Sequence, residues 1–215
     1  MSSLNWETEI YKKKKQINSY PYDSIVANTN RFFKNASKKK VLDLGCGTGN
    51  NTKFFIEYNF DKIYGIDISE KAIKIAKKFI GKNPKVNFIV KSFDKLILKD
   101  NYFDLICDRG SITHMQKEFS LSFFNNNAYK ILKKGGFIFS WIFSSSHYAS
   151  KKNSYYAFKK ETKTKKGLLS SFFNKKEIES MFNKYKILTL IEEKKIDYKN
   201  NKKINATWFV VAKKL

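Results

Sequence analysis

Three glycines stand one residue apart directly after an apolar segment. The segment is Val41–Leu44, which contains Asp43, and the glycines are Gly45, Gly47 and Gly49. A chain turns this tightly, and lets a ligand approach its backbone, where glycine removes the Cβ atom. The residues that follow have the pattern of a helix start, whose free amides attract a polar or negatively charged group. The spacing therefore predicts a strand–turn–helix site for a nucleotide-like ligand at the carboxyl end of a strand.

Two common nucleotide motifs do not fit this turn. The dinucleotide motif G-x-G-x-x-G requires a third glycine where Asn50 stands, and the chain has no G-x-x-x-x-G-K-[ST] run. The stretch Val41–Gly49 instead resembles motif I (hhDhGxGxG, h for hydrophobic) of the class I S-adenosylmethionine-dependent methyltransferases. The likeness covers nearly the whole chain and includes Tyr20–Asp23, a segment similar to one in a bacterial, small-molecule-type group of this family. It implies S-adenosylmethionine as cofactor, S-adenosylhomocysteine as product and methyl transfer as the activity.

Strand-like and helix-like segments alternate along the chain. Strands are predicted near 40–44, 62–67, 86–90, 103–107, 137–143, 185–192 and 206–212, and helices over 6–18, 22–34, 50–58, 70–80 and 116–132. We therefore expect an α/β, Rossmann-like class I methyltransferase fold. It has a mostly parallel seven-stranded sheet with an antiparallel C-terminal strand, and helices on both faces. We expect one domain over 1–215, with an N-terminal helical cap at 1–36 and a candidate lid at 145–171.

An acid about 20 residues after the glycine turn is suited to bind a ribose diol. Asp67 has this spacing and ends the second predicted strand, and Ser69 is a candidate N-cap for the next helix. The resemblance places Ser92 where the family has an acid near the adenine, with Asp94 as an alternative. The expected cofactor contacts are Asp43, Gly45, Cys46, Gly47, Gly49, Asn51, Asp67, Ile68, Ser92, Phe93 and Asp108.

His114 lies in the loop after the fourth strand, which faces the transferred methyl group in the family. Histidine titrates near neutral pH, so His114 is the candidate base, and a packed or capping histidine is the alternative. Arg109 is a candidate anchor for an acidic acceptor, unless it forms a local ion pair. Aromatic rings could enclose an acceptor or simply pack in the core. The expected acceptor-binding residues are Arg109, Tyr11, Tyr20, Tyr22, Trp141 and His147.

The composition limits the remaining alternatives. Two cysteines, Cys46 and Cys107, have no metal-binding or redox spacing, and no histidine cluster is present, so we expect no metal. No apolar run is long enough to span a membrane and no signal-like segment opens the chain, which favours a cytoplasmic location. Nothing in the sequence indicates the oligomeric state.

A formal net charge of +24 suggests weak nucleic-acid binding. Only Arg31 and Arg109 are arginines, however, and the lysines are scattered along the chain. Specific nucleic-acid sites favour arginine forks. The predicted cap and aromatic lid make a small-molecule acceptor the leading interpretation. The alternatives are an RNA methyltransferase that uses the basic surface and a non-catalytic protein that binds S-adenosylmethionine.

Overall fold

The structure is a computed structural model that describes residues 6–11, 17–150 and 170–215. Two compact units are distinguished within the chain, residues 2–107 and 108–215. Each unit is built around its own strands and helices, and each holds part of the residue set that the sequence singles out.

The first unit alternates strands with helices. Its elements are α1 (Asp23–Phe32), β1 (Lys40–Leu44), α2 (Asn50–Glu57), β2 (Lys62–Asp67), α3 (Glu70–Ile80) and β3 (Val86–Val90), and β4 (Phe103–Arg109) runs into the second unit. Strand β2 pairs in parallel with both β1 and β3. Its apolar residues, such as Ile63 and Ile66, are fully buried, which is typical of a parallel sheet covered by helices.

The second unit contains the remaining elements. These are α4 (Lys117–Phe123), a π-helical segment (Phe124–Ala128), α5 (Tyr129–Ile131), β5 (Leu132–Phe143), α6 (Lys175–Met181), β6 (Tyr185–Asp197) and β7 (Lys202–Lys214). Helix α6 begins with a capping box, because Asn174 accepts from the Glu177 amide and Glu177 accepts from the Asn174 amide. Strand β7 runs antiparallel to both β5 and β6.

The seven strands have the order β3-β2-β1-β4-β5-β7-β6. This order, with β7 antiparallel to its neighbours, confirms the predicted Rossmann-like fold class with a mostly parallel sheet and an antiparallel C-terminal strand. The sequence favours this arrangement, because a helical segment between two apolar strands provides the crossover connection that parallel pairing requires.

Three predicted helices differ from the observed ones. The predicted helix 6–18 is a π-helical turn at Trp6–Tyr11, and Ile17, within the predicted span, is non-helical and 44% exposed. Residues 12–16 lie outside the described residues. Helix α1 begins one residue after Tyr22 and ends at Phe32, two residues before the predicted end. The predicted helix 116–132 contains the π-helical segment, so its hydrogen bonding changes register midway.

The C-terminal strands are longer than their apolar patterns indicated. Strand β5 begins at Leu132, five residues before the predicted start, and β6 continues to Asp197. Four of the five added residues of β6 are polar or charged and the fifth, Ile196, is exposed, so cross-strand pairing with β7 rather than a buried face holds them. Of the candidate lid, residues 145–150 form hydrogen-bonded turns, while 151–169 lie outside the described residues.

Candidate functional site

The glycine turn after β1 has the backbone that its spacing requires. Gly45, Gly47 and Gly49 have φ angles of +67°, +54° and +89°, a region that side-chain-bearing residues rarely adopt. A Cβ atom on Gly47 would lie 3.1 Å from the hydroxyl of Tyr11. The turn therefore presents bare backbone, and Tyr11 lies against it.

Asp67 ends β2 beside this turn. Its Oδ2 accepts from the Gly47 amide at 2.9 Å, and its Oδ1 accepts from the Ser69 amide at 2.9 Å. The carboxylate is buried, and burial raises its pKa to about 6 against the lowering effect of these hydrogen bonds. A carboxylate has about four acceptor positions, so Asp67 retains capacity for a further donor such as a ribose hydroxyl.

Asp43 lies within β1 and points to the first turn of α2. Its Oδ2 accepts from the Thr52 hydroxyl at 2.6 Å, and the side chain is almost completely buried. This contact ties the strand to the helix that follows the glycines. Cys46, inside the turn, is also buried, and burial raises the pKa of its thiol well above the usual value. It is therefore a neutral packing residue within the turn.

An N-terminal turn packs on the same region through Tyr11 and through Glu7, which the sequence did not single out. Oε1 of Glu7 accepts from the Ser69 hydroxyl at 2.6 Å and from the Lys71 amide at 3.0 Å. Ser69 also accepts from the Ala72 amide, which confirms it as the N-cap of α3. Tyr11 of this turn is buried, so its ring is fixed near the glycines.

The segment before α1 is held by the start of α2. Asn50 donates to the Tyr20 carbonyl at 2.8 Å, and Oδ1 of Asn51 accepts from the Tyr22 amide at 3.4 Å. Asn51 is thus engaged with the chain's own backbone. The ring of Tyr20 is 78% exposed, so of the three N-terminal tyrosines predicted to bind the acceptor only Tyr11 is buried.

The residues after β3 form a short 3₁₀ turn, Phe93–Lys95. The Ser92 hydroxyl donates to the Asp94 carboxylate, which lowers the pKa of Asp94. Ser92 and Asp94, the two alternatives for the adenine contact, are therefore paired with each other. Phe93 is buried, and Ile68 after β2 is half-buried. The cofactor roles of these residues stay predictions.

In the second unit, Asp108 organises the loop after β4. Its Oδ1 accepts from the amides of Ser111 (2.8 Å) and Ile112 (3.1 Å), and from the Ser111 hydroxyl. Its Oδ2 accepts from the Ser140 hydroxyl at 2.8 Å. The side chain is fully buried, and burial raises its pKa. Asp108, expected to contact the cofactor, is thus surrounded by donors from its own loop and from β5.

His114 ends the 3₁₀ turn that this aspartate holds. The ring is buried, its Nδ1 lies 3.4 Å from the Ser170 hydroxyl, and it meets the Phe143 ring edge-on at 5.6 Å. The Ser171 amide donates to the Thr113 carbonyl at 2.7 Å, so residues 170–171 lie directly on the turn. These contacts fix the orientation of the imidazole ring. A fixed orientation is expected both for a catalytic base and for a histidine that packs in the core.

His147 contacts the same Phe143 ring as His114. Its ring lies 5.0 Å from that of Phe143, 5.3 Å from that of Phe172 and 4.7 Å from that of Tyr148. The Ala149 amide donates to Nδ1, and burial lowers the pKa of the ring. His147 is therefore a neutral imidazole whose proton is on Nε2. Both histidines of the chain contact Phe143, a juxtaposition that the sequence did not reveal.

Arg109 and Trp141, both predicted to bind the acceptor, lie against each other. The guanidinium carbon of Arg109 is 5.4 Å from the centroid of the Trp141 ring. Trp141 is buried and stacks on Phe209 with centroids 4.5 Å apart. The Trp141 ring thus makes a cation–π contact with Arg109 and a stacked contact with Phe209 of β7.

The chain's own residues fit the nucleoside part of S-adenosylmethionine. The glycine turn offers a cradle that a Cβ would narrow, and Asp67 offers acceptor capacity 20 residues further on. Among residues 6–11, 17–150 and 170–215, no three histidines, cysteines or acids form a group that could hold a metal ion. In the same part of the chain, no helix has both the length and the apolarity needed to cross a bilayer.

A family model described as a methyltransferase domain matches residues 41–136, from β1 to the first residues of β5. Phosphoethanolamine N-methyltransferase 3 of Arabidopsis thaliana is 40% identical over 100 residues, which are 46% of this chain and 20% of that protein. Malonyl-[acyl-carrier protein] O-methyltransferase 1 of Ilyobacter polytropus is 30% identical over 126 residues, 57% of this chain and 46% of that protein. The chain thus spans between a fifth and a half of these relatives.

A solved structure of a S-adenosylmethionine-dependent methyltransferase from Methanosarcina mazei has the same fold. Its TM-score is 0.71 at 18% sequence identity, and the alignment covers 91% of this chain and 99% of that one. An identity this low shows the fold alone. Residues 41–136 thus match a methyltransferase domain, and the chain has the fold of a S-adenosylmethionine-dependent methyltransferase.

Proposed function

We propose that the chain is a S-adenosylmethionine-dependent methyltransferase that acts on a small-molecule acceptor. The observation that carries the proposal is the contact between the Gly47 amide and Asp67 Oδ2, 2.9 Å apart, beside three glycines with positive φ. A bare turn and a buried acid in this relation suit a nucleoside with a free diol. The names of the relatives support a small or carrier-linked acceptor, since they include phosphoethanolamine and malonyl groups.

Within this proposal each residue has a limited task. S-adenosylmethionine, when bound, supplies a methyl group bonded to a sulfonium sulfur, and S-adenosylhomocysteine is a good leaving group, so positioning provides much of the acceleration. Asp67 accepts from the ribose hydroxyls, and the glycine turn lets the backbone approach the ligand. An amine or hydroxyl acceptor must also lose a proton, and His114 is the residue that we propose removes it.

The first experiment follows the methyl group. The purified chain is incubated with S-adenosylmethionine labelled on its methyl group and with a cell lysate separated into RNA, protein, lipid and metabolite fractions. The proposal predicts label in the metabolite fraction. Tight binding of S-adenosylhomocysteine without transfer to any fraction would instead indicate a non-catalytic cofactor-binding protein.

A second candidate function is RNA methylation, which the net charge of +24 favours. Lysine ammonium groups bind phosphate without reading sequence, so charge alone predicts affinity rather than a methylation site. Label that appears in the RNA fraction, and that competing RNA removes, would establish this alternative over the small-molecule proposal.

The role of His114 is tested with the fraction that accepts label. We expect His114→Ala to lower kcat by about 10²- to 10⁴-fold, as general bases do, while the affinity for S-adenosylhomocysteine is unchanged. Added imidazole should restore part of the rate, which a residue needed only for packing would not show. Near-normal turnover by the variant would exclude His114 as an essential base.

A further inference from the structure

The last residues of the candidate lid lie on the turn that carries His114. Ser170 is completely buried, and its hydroxyl oxygen lies 3.4 Å from His114 Nδ1. Within residues 6–11, 17–150 and 170–215, the ring nitrogen is the one hydrogen-bond partner of this hydroxyl. Burial of a hydroxyl lowers stability unless it is hydrogen-bonded, so the contact with the imidazole offsets the burial of this serine.

Neighbouring hydrogen bonds fix the position of Ser170 relative to the ring. The Ser171 amide donates to the Thr113 carbonyl at 2.7 Å, and the Ser171 hydroxyl donates to the Met115 carbonyl at 3.0 Å. These two carbonyls belong to the residues on either side of His114 in the chain. The serine segment is thus bonded to the turn both before and after the histidine, so the Ser170 hydroxyl is preorganised beside the ring.

The Phe143 ring limits the orientations that the imidazole can adopt. It meets the His114 ring edge-on with centroids 5.6 Å apart, and it stacks on Phe172 at 5.7 Å. The Phe173 amide donates to the Phe143 carbonyl at 2.9 Å, so the serine segment is also tied to the end of β5. Because the imidazole is buried among packed groups, Nδ1 is held as the nitrogen that faces the serine.

The position of Ser170 decides which ring nitrogen can take up a proton. A neutral imidazole has one N–H donor and one acceptor nitrogen, and the hydrogen bond at one nitrogen sets the tautomer. Because the serine hydroxyl engages Nδ1, a base at His114 must use Nε2. Nε2 can accept a proton only when the neutral ring has its hydrogen on Nδ1, and a hydroxyl oxygen can accept from that N–H group.

We propose that Ser170 is a positioning residue for His114, whose hydroxyl oxygen accepts from Nδ1–H and so keeps Nε2 as the basic nitrogen. When the methyl group reaches an amine or hydroxyl, Nε2 takes the proton that the acceptor atom loses. The ring becomes an imidazolium with Nδ1–H still bonded to Ser170, and the Nε2 proton then passes to water. This inference rests on the proposed function for the proton removal, while the hydrogen bond itself can be measured without any methyl acceptor.

The test measures the tautomer of each histidine by ¹⁵N NMR on the full chain, labelled at its histidine nitrogens, at pH 8. The chain has two histidines, so His114→Ala assigns both imidazoles. We expect the Nδ1–H form for His114 and the Nε2–H form for His147, whose Nδ1 accepts from the Ala149 amide.

Ser170→Ala should remove the preference of His114 for the Nδ1–H form and leave the His147 signals unchanged. With the fraction that accepts label, the same variant should lower kcat roughly threefold to tenfold, which corresponds to the net contribution of one hydrogen bond. The KM for S-adenosylmethionine should be unchanged, because the serine contacts the base and not the proposed cofactor residues.

Ser171→Ala is the matched control, because it removes the neighbouring hydroxyl, which bonds to the same turn but not to the ring. It should keep His114 in the Nδ1–H form. An Nε2–H form of His114 in the unmodified chain, or equal changes in Ser170→Ala and Ser171→Ala, would overturn the proposal. Full turnover by His114→Ala, with an Nδ1–H form that depends on Ser170, would instead remove the base from the proposed function, so the two failures are distinguishable.

Discussion

At the scale of single residues, burial of the Asp67 carboxylate lowers stability but keeps a charged acceptor at the candidate cofactor site. Its carboxylate is buried, which disfavours the charged form, yet it accepts from two amides of the loops around it. An uncharged acceptor would be sufficient to hold this turn in a protein that binds no ligand there. The buried charge is consistent with a ligand that donates hydrogen bonds to it.

Replacement of Asp67 by asparagine should affect cofactor affinity. Loss of a charged acceptor for the ribose diol corresponds to about 1.5–3 kcal/mol, so Asp67→Asn should weaken S-adenosylhomocysteine binding roughly tenfold to a hundredfold. Calorimetry at pH 8 measures this, with Asp100→Asn, the same change at an exposed loop position, as the control. Equal affinity in Asp67→Asn and the unmodified chain would remove Asp67 from the site.

The same residue predicts a pH dependence of stability. Asp67 has a pKa of about 6 in the folded chain against a reference value of 3.8, so the folded state binds its proton more tightly. The stabilisation from that proton is complete below pH 3.8 and is lost as the pH rises through 6. Between pH 5 and 7 the unmodified chain should lose about 1 kcal/mol of unfolding free energy relative to Asp67→Asn. Urea titrations at both pH values, showing parallel losses in the two proteins, would contradict this.

At the scale of elements, the contact between α2 and α3 determines where the glycine turn can lie. Gly49 is the N-cap of α2 and has φ +89°, and a Cβ there would be 3.0 Å from Cβ of Ala76 in α3. Two requirements therefore coincide at one position: a left-handed backbone and the absence of a side chain. Small residues on α3, such as Ala76, let the two helices approach the turn.

Gly49→Ala should therefore lower the free energy of unfolding by more than backbone strain alone would. A strained φ costs of the order of 1–3 kcal/mol, and the contact with Ala76 adds to it. Gly135→Ala is the matched control, because Gly135 has φ +77° but nothing within 4 Å of a new Cβ. Urea denaturation should show the larger loss of unfolding free energy for Gly49→Ala. A larger loss for Gly135→Ala would contradict this, because it would mean that α2 and α3 move apart with little loss of unfolding free energy.

At the scale of the whole molecule, the net positive charge is larger than a single binding site requires. The net charge of +24 comes almost entirely from lysines spread along the chain. Exposed charges of this kind attract polyanions through counterion release and without sequence preference.

Binding of RNA should accordingly be strong only in low salt. A fluorescently labelled, unstructured RNA should lose at least about a hundredfold in affinity between 50 mM and 200 mM salt. Affinity for S-adenosylhomocysteine, measured on the same protein, should be nearly unchanged, because its proposed contacts are buried hydrogen bonds. RNA affinity that persists at 200 mM salt would indicate a specific nucleic-acid site and would favour the RNA-methylating alternative.

Local features were predictable from the sequence. The spacing of Gly45, Gly47 and Gly49 predicted a tight turn, which has positive φ at all three glycines, and Ser69 was the predicted N-cap of α3. The parallel pairing of β1, β2 and β3 was expected from the alternation of apolar segments with helices. Each of these depends on backbone sterics or on hydrogen bonds within a few residues, which the local sequence determines by itself.

Only the tertiary structure decided the partners of the polar groups. Glu7 accepts from Ser69, 62 residues away, and Ser140 donates to Asp108, 32 residues away. The Phe143 ring contacts both His114 and His147, which are 33 residues apart in the sequence. Such contacts follow from how strands and loops pack rather than from any periodic pattern. The sequence thus determined which residues could do chemistry, and the packing of distant segments decided which of their atoms are already engaged.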